Sequence, residues 1–150
     1  MSLLHERLYT HNDLEFIDLS NYFKEICNSL YAAYGITRND VELEITIPPT
    51  QVDIDSAITL GLIVNELVSN SLKYAFANGR KGHLKIVLQK QNSHYTLIVS
   101  DDGPGFPLTF DQKQSFGLKL VASLTKKING DIHYENINGT KSILSFVLAS

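Results

Sequence analysis

The chain has a single cysteine, Cys27, among its 150 residues, so an internal disulfide is excluded. A lone thiol suits a reducing compartment, and within the helical-looking stretch 21–34 it reads as packing rather than as a nucleophile. No run of Lys and Arg occurs, and the net charge is −3. A surface that neutralises many nucleic-acid phosphates is therefore not expected. No stretch is apolar for the length that a membrane span needs. Met1-Ser2-Leu3-Leu4-His5-Glu6-Arg7 carries its charges after its apolar residues, with no long apolar segment beyond, unlike a secretory signal. His5, His11, His83, His94 and His133 are scattered without the spacing of a metal site. These absences predict a soluble, cytoplasmic chain with no membrane contact. What is present, 150 residues of which 43% are hydrophobic, suffices for one core and not for two ordinary domains.

The polar residues that stand out lie inside apolar surroundings. In Val64-Asn65-Glu66-Leu67-Val68-Ser69-Asn70-Ser71-Leu72-Lys73-Tyr74-Ala75-Phe76, the residues Glu66, Asn70 and Lys73 recur at spacings of four and three. At about 100° per residue they share one helix face within roughly 60° of arc. Leu62, Val64, Val68, Leu72 and Ala75 occupy the rest of that surface, which reads as largely buried. A carboxylate, an amide and an ammonium thus line an otherwise apolar helix, and the alternative is a solvated stripe. Downstream, Asp101-Asp102-Gly103-Pro104-Gly105-Phe106 follows the strand-like run Tyr95-Thr96-Leu97-Ile98-Val99. A carboxylate fixed at a strand end, beside glycines that permit sharp turning and close approach, suits a ligand; the alternative is a hairpin turn. Then Ser115-Phe116-Gly117-Leu118-Lys119-Leu120-Val121 opens an apolar periodic run, where free backbone N–H groups suit an anion.

The remaining pattern supplies the frame. Residues 1–10 read as the tail of a helix broken at Asn12-Asp13. From Ser20, a plausible N-cap, Tyr22, Phe23, Ile26, Leu30 and Ala33 recur at helical spacing until Gly35. Residues 41–47 alternate apolar and polar up to Pro48-Pro49, which predicts a half-buried strand. A helix over residues 55–76, strands over 83–90 and 94–101, a loop over 103–114, a helix over 115–128 and a closing hairpin of 131–136 with 142–149 follow. That order predicts a two-layer α/β sandwich, a mixed and mostly antiparallel sheet with helices over one face.

In succession, Glu66 with Asn70 and Lys73-Tyr74, then Asp101 with Gly103 and Gly105, then Ser115 to Leu118, then Gly139-Thr140 before the last strand resemble the ATP-binding domains of the GHKL family. That family is shared by sensor histidine kinases, type II DNA gyrases, MutL proteins and a class of heat-shock chaperones. Residues 60–70 and 115–121 are most similar to the histidine-kinase branch, and Leu4-His5-Glu6-Arg7-Leu8-Tyr9 with Asp13-Leu14 and Ile17-Asp18 resembles the junction after the dimerisation hairpin in one kinase subgroup. The resemblance implies a Bergerat-type fold, with residues 1–18 as the end of the hairpin and junction and 19–150 as the ATP-binding catalytic domain. It implies that Asp101 accepts from the adenine amino group, with Thr140 supporting that end of the base directly or through water. Gly103 and Gly105 would pass the chain close to the nucleotide. Asn70 would be the protein ligand of Mg²⁺, Lys73 would counter phosphate charge, and Tyr74 would pack near the sugar or the phosphates. The backbone of Ser115, Phe116, Gly117 and Leu118 would meet the phosphates. Glu66 is the catalytic candidate, its other role being to orient Mg²⁺-bound water or Lys73. The acceptor histidine would sit on the hairpin's first helix in a His-Arg-x-Lys-Asn-Asn type motif, which does not occur here; the neighbours of His5 do not match it. ATP, a histidine-bearing dimerisation domain and a response regulator are the expected partners of a homodimeric parent. An ATP-hydrolysing switch of the gyrase or MutL type and an anti-sigma-factor serine kinase are the competing activities. Ser115 stands where many members have glycine, and Phe106 and Phe110 are the only aromatics of the short loop, so its lid contacts are unassigned.

Overall fold

The computed structural model describes residues 16–76, 79–103, 116–136 and 138–148. Period-two alternation builds its main sheet: β2 (Val41–Thr46), β4 (Gly82–Gln91), β5 (His94–Asp101), β6 (Asp131–Glu135) and β7 (Thr140–Val147) lie in the order β2-β4-β5-β7-β6. Only β2 and β4 are parallel; the other neighbours are antiparallel, as a mixed sheet requires. Two three-residue strands, β1 (Phe16–Asp18) and β3 (Gln51–Asp53), pair antiparallel beside it.

Register puts Leu43, Leu84, Asp101 and Thr140 in one cross-strand row, and Ile86, Val99, Ser142 and Tyr134 in another. These rows face the helices: α1 (Leu19–Tyr34), α2 (Ile54–Asn70) and α3 (Phe116–Lys127). α2 packs between α1 and α3, and Leu60, Ile63, Val64 and Val68 meet Leu84, Ile86, Leu97 and Leu144 in the core. Fully burying such aliphatic side chains contributes about 1.5–3 kcal/mol each. Cys27 is part of this core, and burial pushes its thiol up to about 12, which makes it inert as a nucleophile.

The first long helix starts two residues earlier than an N-cap at Ser20 would place it. Asp18 is the N-cap, without a side-chain cap bond, and the Leu19 N–H donates to the Thr50 carbonyl at 3.0 Å. Pairing of β1 with β3 brings Thr50 there, so tertiary structure satisfies the helix start that a cap side chain would otherwise serve. Ala33 faces solvent, and Tyr31 takes the buried position instead, its hydroxyl donating to the Val41 carbonyl at 3.0 Å. The second long helix is α-helical only as far as Asn70; Ser71–Ala75 form a single π turn before Phe76.

Candidate functional site

Strand parity decides where the two adjacent aspartates go. Tyr95, Leu97 and Val99 point towards the helices, so Asp101 follows them inward and is 8% exposed, whereas Asp102 turns outward. A carboxylate this far from water needs donors, and among the described residues three meet it. The Ser71 hydroxyl donates to Oδ2 at 2.7 Å, and the backbone N–H groups of Gly103 and Thr140 donate to Oδ1 at 3.0 and 3.3 Å. A carboxylate offers about four lone-pair positions. Oδ1 is thereby filled, and Oδ2 keeps one position that no described residue occupies.

Asp101 lies in the lining of a cleft with about 430 Å³ of empty space open to solvent. Leu67, Asn70, Ser71, Tyr74 and Ala75 form one wall, Val99 and Asp101 the floor, and Leu118, Tyr134, Thr140 and Ser142 the remainder. The π turn creates the first wall. Its wider winding brings Ser71, Tyr74 and Ala75 round with Asn70, and such single turns recur at functional sites. Two glycines close the floor. A Cβ on Gly103 would lie 2.4 Å from the Ala75 Cβ and 2.7 Å from its Cα, so the exit of β5 can abut the π turn only without a side chain. Gly139, at φ +121°, places its backbone where a Cβ would fall 1.8 Å from the Asp101 carbonyl oxygen.

Of the residues singled out in the sequence, Asn70, Tyr74, Asp101, Leu118 and Thr140 line this cleft together. Among the described residues, the Asn70 amide has no hydrogen-bond partner, which leaves its oxygen available to a ligand. Gly103 contributes its N–H to Asp101 rather than a positive φ. Glu66 is half-buried on α2, and neither it nor Lys73 is among the lining residues. Lys73 is exposed, its ammonium 5.8 Å from the Tyr74 ring centroid. Phe116 and Gly117 begin α3, next to Leu118 of the cleft. Gly105, Ser115, Phe106 and Phe110 lie outside the described residues. Ser71, Tyr134 and Ser142 were not foreseen. The inward parity of β7 points to Ser142 and its partner Tyr134, while Ser71 has no periodic signal because the π turn sets its direction.

Residues 55–150 match the family described as histidine kinase-, DNA gyrase B-, and HSP90-like ATPase, and residues 1–34 match a second one described as histidine kinase. The sensor histidine kinase PdtaS of Mycolicibacterium smegmatis is 30% identical over 99 residues, 62% of this chain and 20% of that protein. The histidine-protein kinase/phosphatase MprB of Mycolicibacterium vanbaalenii is 39% identical over 115 residues, 66% of this chain and 23% of that protein. Among solved structures, the histidine kinase domain of a blue-light activated histidine kinase from Erythrobacter litoralis superposes with a TM-score of 0.78 at 22% identity, covering 88% of this chain and 62% of that one. That likeness carries the fold. The chain thus spans about a fifth of the length of these two curated relatives.

Proposed function

Because the chain belongs to the histidine kinase-, DNA gyrase B-, and HSP90-like ATPase family, we propose that it is the ATP-binding catalytic domain of a sensor histidine kinase, moving the ATP γ-phosphoryl group to a histidine of a dimerisation domain. The observation that carries this reading is Asp101, a nearly buried carboxylate in an apolar cleft, with three donors and one acceptor position left among the described residues. That vacancy fits an exocyclic amino group, which adenine presents at the edge where guanine has a carbonyl. Leu67, Ala75, Val99 and Leu118 supply apolar contact for the base, and the Thr140 hydroxyl supports its polar end. The kinase half of the reading draws support from the relatives' names and from the match of residues 1–34.

Asn70 fits a metal that dehydrates reluctantly and needs one protein oxygen, since its amide lines the cleft without a hydrogen-bond partner among the described residues. Its oxygen would hold Mg²⁺. When bound, that ion neutralises phosphate charge during transfer. Gly103 and Gly105 let the chain run close to the nucleotide, and the backbone N–H groups of Ser115 to Leu118 hold the phosphates at the start of α3. Lys73 adds positive charge from the helix end, with Tyr74 beside it against the sugar or phosphates. Glu66, one turn before Asn70, is the catalytic carboxylate of this reading, its other role being to orient Mg²⁺-bound water or Lys73. Phosphoryl transfer asks mainly for positioning and charge stabilisation, so this set suffices once a nucleophile arrives in line. In this reading residues 1–18 are the end of the hairpin and the junction, and 19–150 are the catalytic domain. The parent is a homodimer that passes the phosphoryl group to a response regulator in the cytoplasm.

Incubation with radiolabelled ATP and the parent's dimerisation helices tests the proposal. Acid-labile label on a histidine of those helices, with none on the chain alone, is expected. Acid-stable label on a serine of a partner, or hydrolysis with no label, would overturn it in favour of a serine kinase or an ATPase switch.

A further inference from the structure

The outward aspartate beside the cleft is held from the far side of the sheet. His83 on β4 is paired in register with Glu42 on β2, and its Nε2 lies 3.0 Å from Glu42 Oε2. Its Nδ1 lies 2.7 Å from Asp102 Oδ2. The two backbones reinforce the contact: the His83 N–H donates to Asp102 Oδ1 at 2.8 Å, and the Asp102 N–H donates to the His83 carbonyl at 3.3 Å. Asp102 stands between Asp101 and Gly103, the two residues whose mutual hydrogen bond shapes the cleft floor. The strap therefore runs from the edge strand β2 through one imidazole to that floor.

Protonation decides whether the strap is complete. Each imidazole nitrogen faces a carboxylate oxygen at hydrogen-bond distance, and only the imidazolium donates from both nitrogens at once. A neutral ring keeps one bond and turns a lone pair towards the other carboxylate. Lys85 on β4 and Lys141 on β7 line the same open groove as His83, Asp101 and Asp102, and Lys85 Nζ is 4.0 Å from Glu44 on β2. Those ammonium groups oppose a charge on the ring, but the carboxylates of Asp102 and Glu42 touch it. The hydrogen bond and charge of Asp102, with Glu42 adding to them, hold the His83 ring above its ordinary value of 6.5. Because the folded value is raised, the stabilisation is fully present below the unfolded value and is lost as pH rises through the folded one.

We propose that His83 is a positioning residue for the nucleotide cleft: its protonated ring, clamped between Glu42 and Asp102, holds the Asp101-Asp102-Gly103 turn in its binding form, so proton uptake and nucleotide binding favour each other. This rests on the reading of the cleft as an adenine-nucleotide site. Linkage makes the coupling reciprocal: the factor by which protonation tightens nucleotide binding is the factor by which nucleotide strengthens the proton's hold on His83.

The probe is ADP, with its affinity measured by calorimetry at about pH 6 and about pH 8.5, on the two sides of neutrality, where histidine side chains change charge. Between these values the wild-type chain is expected to lose roughly five-fold more affinity than His83→Gln, a typical coupling factor. In the wild type, the His83 ring resonances followed by NMR should titrate at higher pH with saturating ADP than without it, a readout that needs no variant to fold. Glu42→Gln, which removes one arm of the clamp on the edge strand β2, outside the cleft lining, should lower that midpoint and shrink the coupling. A His83 midpoint unmoved by ADP, or the same pH profile in wild type and His83→Gln, overturns the positioning role while leaving the nucleotide reading intact. Absence of ADP binding at both pH values overturns the two together.

Discussion

The Ser71 hydroxyl donates to Oδ2 of Asp101 at 2.7 Å, a bond between residues thirty positions apart that ties the π turn to the end of β5. It fixes the rotation of the carboxylate, and with it the direction of the acceptor position that the described residues leave open. Ser71→Ala removes this donor without adding bulk. The variant should stay folded, losing about 1 kcal/mol of stability, and should bind ADP more weakly than wild type. Thermal unfolding and calorimetry together check this; unchanged ADP affinity would show that Asp101 is held well enough by Gly103 and Thr140 alone.

Asp101 itself should set the choice of base. The isolated chain is expected to bind ATP and ADP and to discriminate against GTP, whose corresponding edge offers a carbonyl to a carboxylate. Asp101→Asn exchanges one acceptor oxygen for a donor and should weaken ADP binding by roughly 1–3 kcal/mol, the range for mispairing a buried polar group. Equal calorimetric affinities for ADP and GDP in the wild type would sink the assignment.

Much of this site was legible because it obeys strand parity. The alternation Tyr95, Leu97, Val99 is visible in the sequence, and it carries Asp101 to the inner face at a strand end. The closing hairpin brings Thr140 opposite Asp101 by register alone. Other features depend on contacts that no local pattern encodes. The strands Phe16–Asp18 and Gln51–Asp53 are three residues each, too short for alternation to register, and so Thr50 could not be foreseen as the acceptor for the start of α1. A uniform helix through residue 76 puts Lys73 on the face of Asn70. The π turn instead turns Ser71, Tyr74 and Ala75 into the cleft. His83 looked like one scattered histidine, since its partners come from β2 and from the exit of β5.

Gly103→Ala tests the packing of the floor. The added Cβ would meet the Ala75 Cβ at 2.4 Å and Ala75 backbone atoms at 2.7 and 2.9 Å, so backbone must shift. Overpacking of this kind costs about 1–3 kcal/mol. The melting temperature should fall and ADP affinity should fall with it. A fully stable Gly103→Ala variant would show that the β5 exit and the π turn separate easily.

Asn70 separates metal-dependent binding from mere folding. Its side chain is half-buried in the cleft wall and makes no hydrogen bond among the described residues, so little of the fold depends on the amide. Asn70→Ala should therefore change stability by less than about 1 kcal/mol, as expected where no cap, core contact or hydrogen bond is lost. It should nevertheless abolish most of the gain in ATP affinity that added Mg²⁺ brings, because the ion loses its protein oxygen while the phosphates remain. Asn70→Asp keeps an oxygen and adds a charge, so it should retain a metal response but weaken nucleotide binding when Mg²⁺ is withheld, through repulsion with the phosphates. Titrating ATP with and without Mg²⁺ into wild type and both variants reads these effects separately. Unfolding of Asn70→Ala, or an Mg²⁺ response equal to that of the wild type, would mean that Asn70 serves the fold and that the metal is held elsewhere.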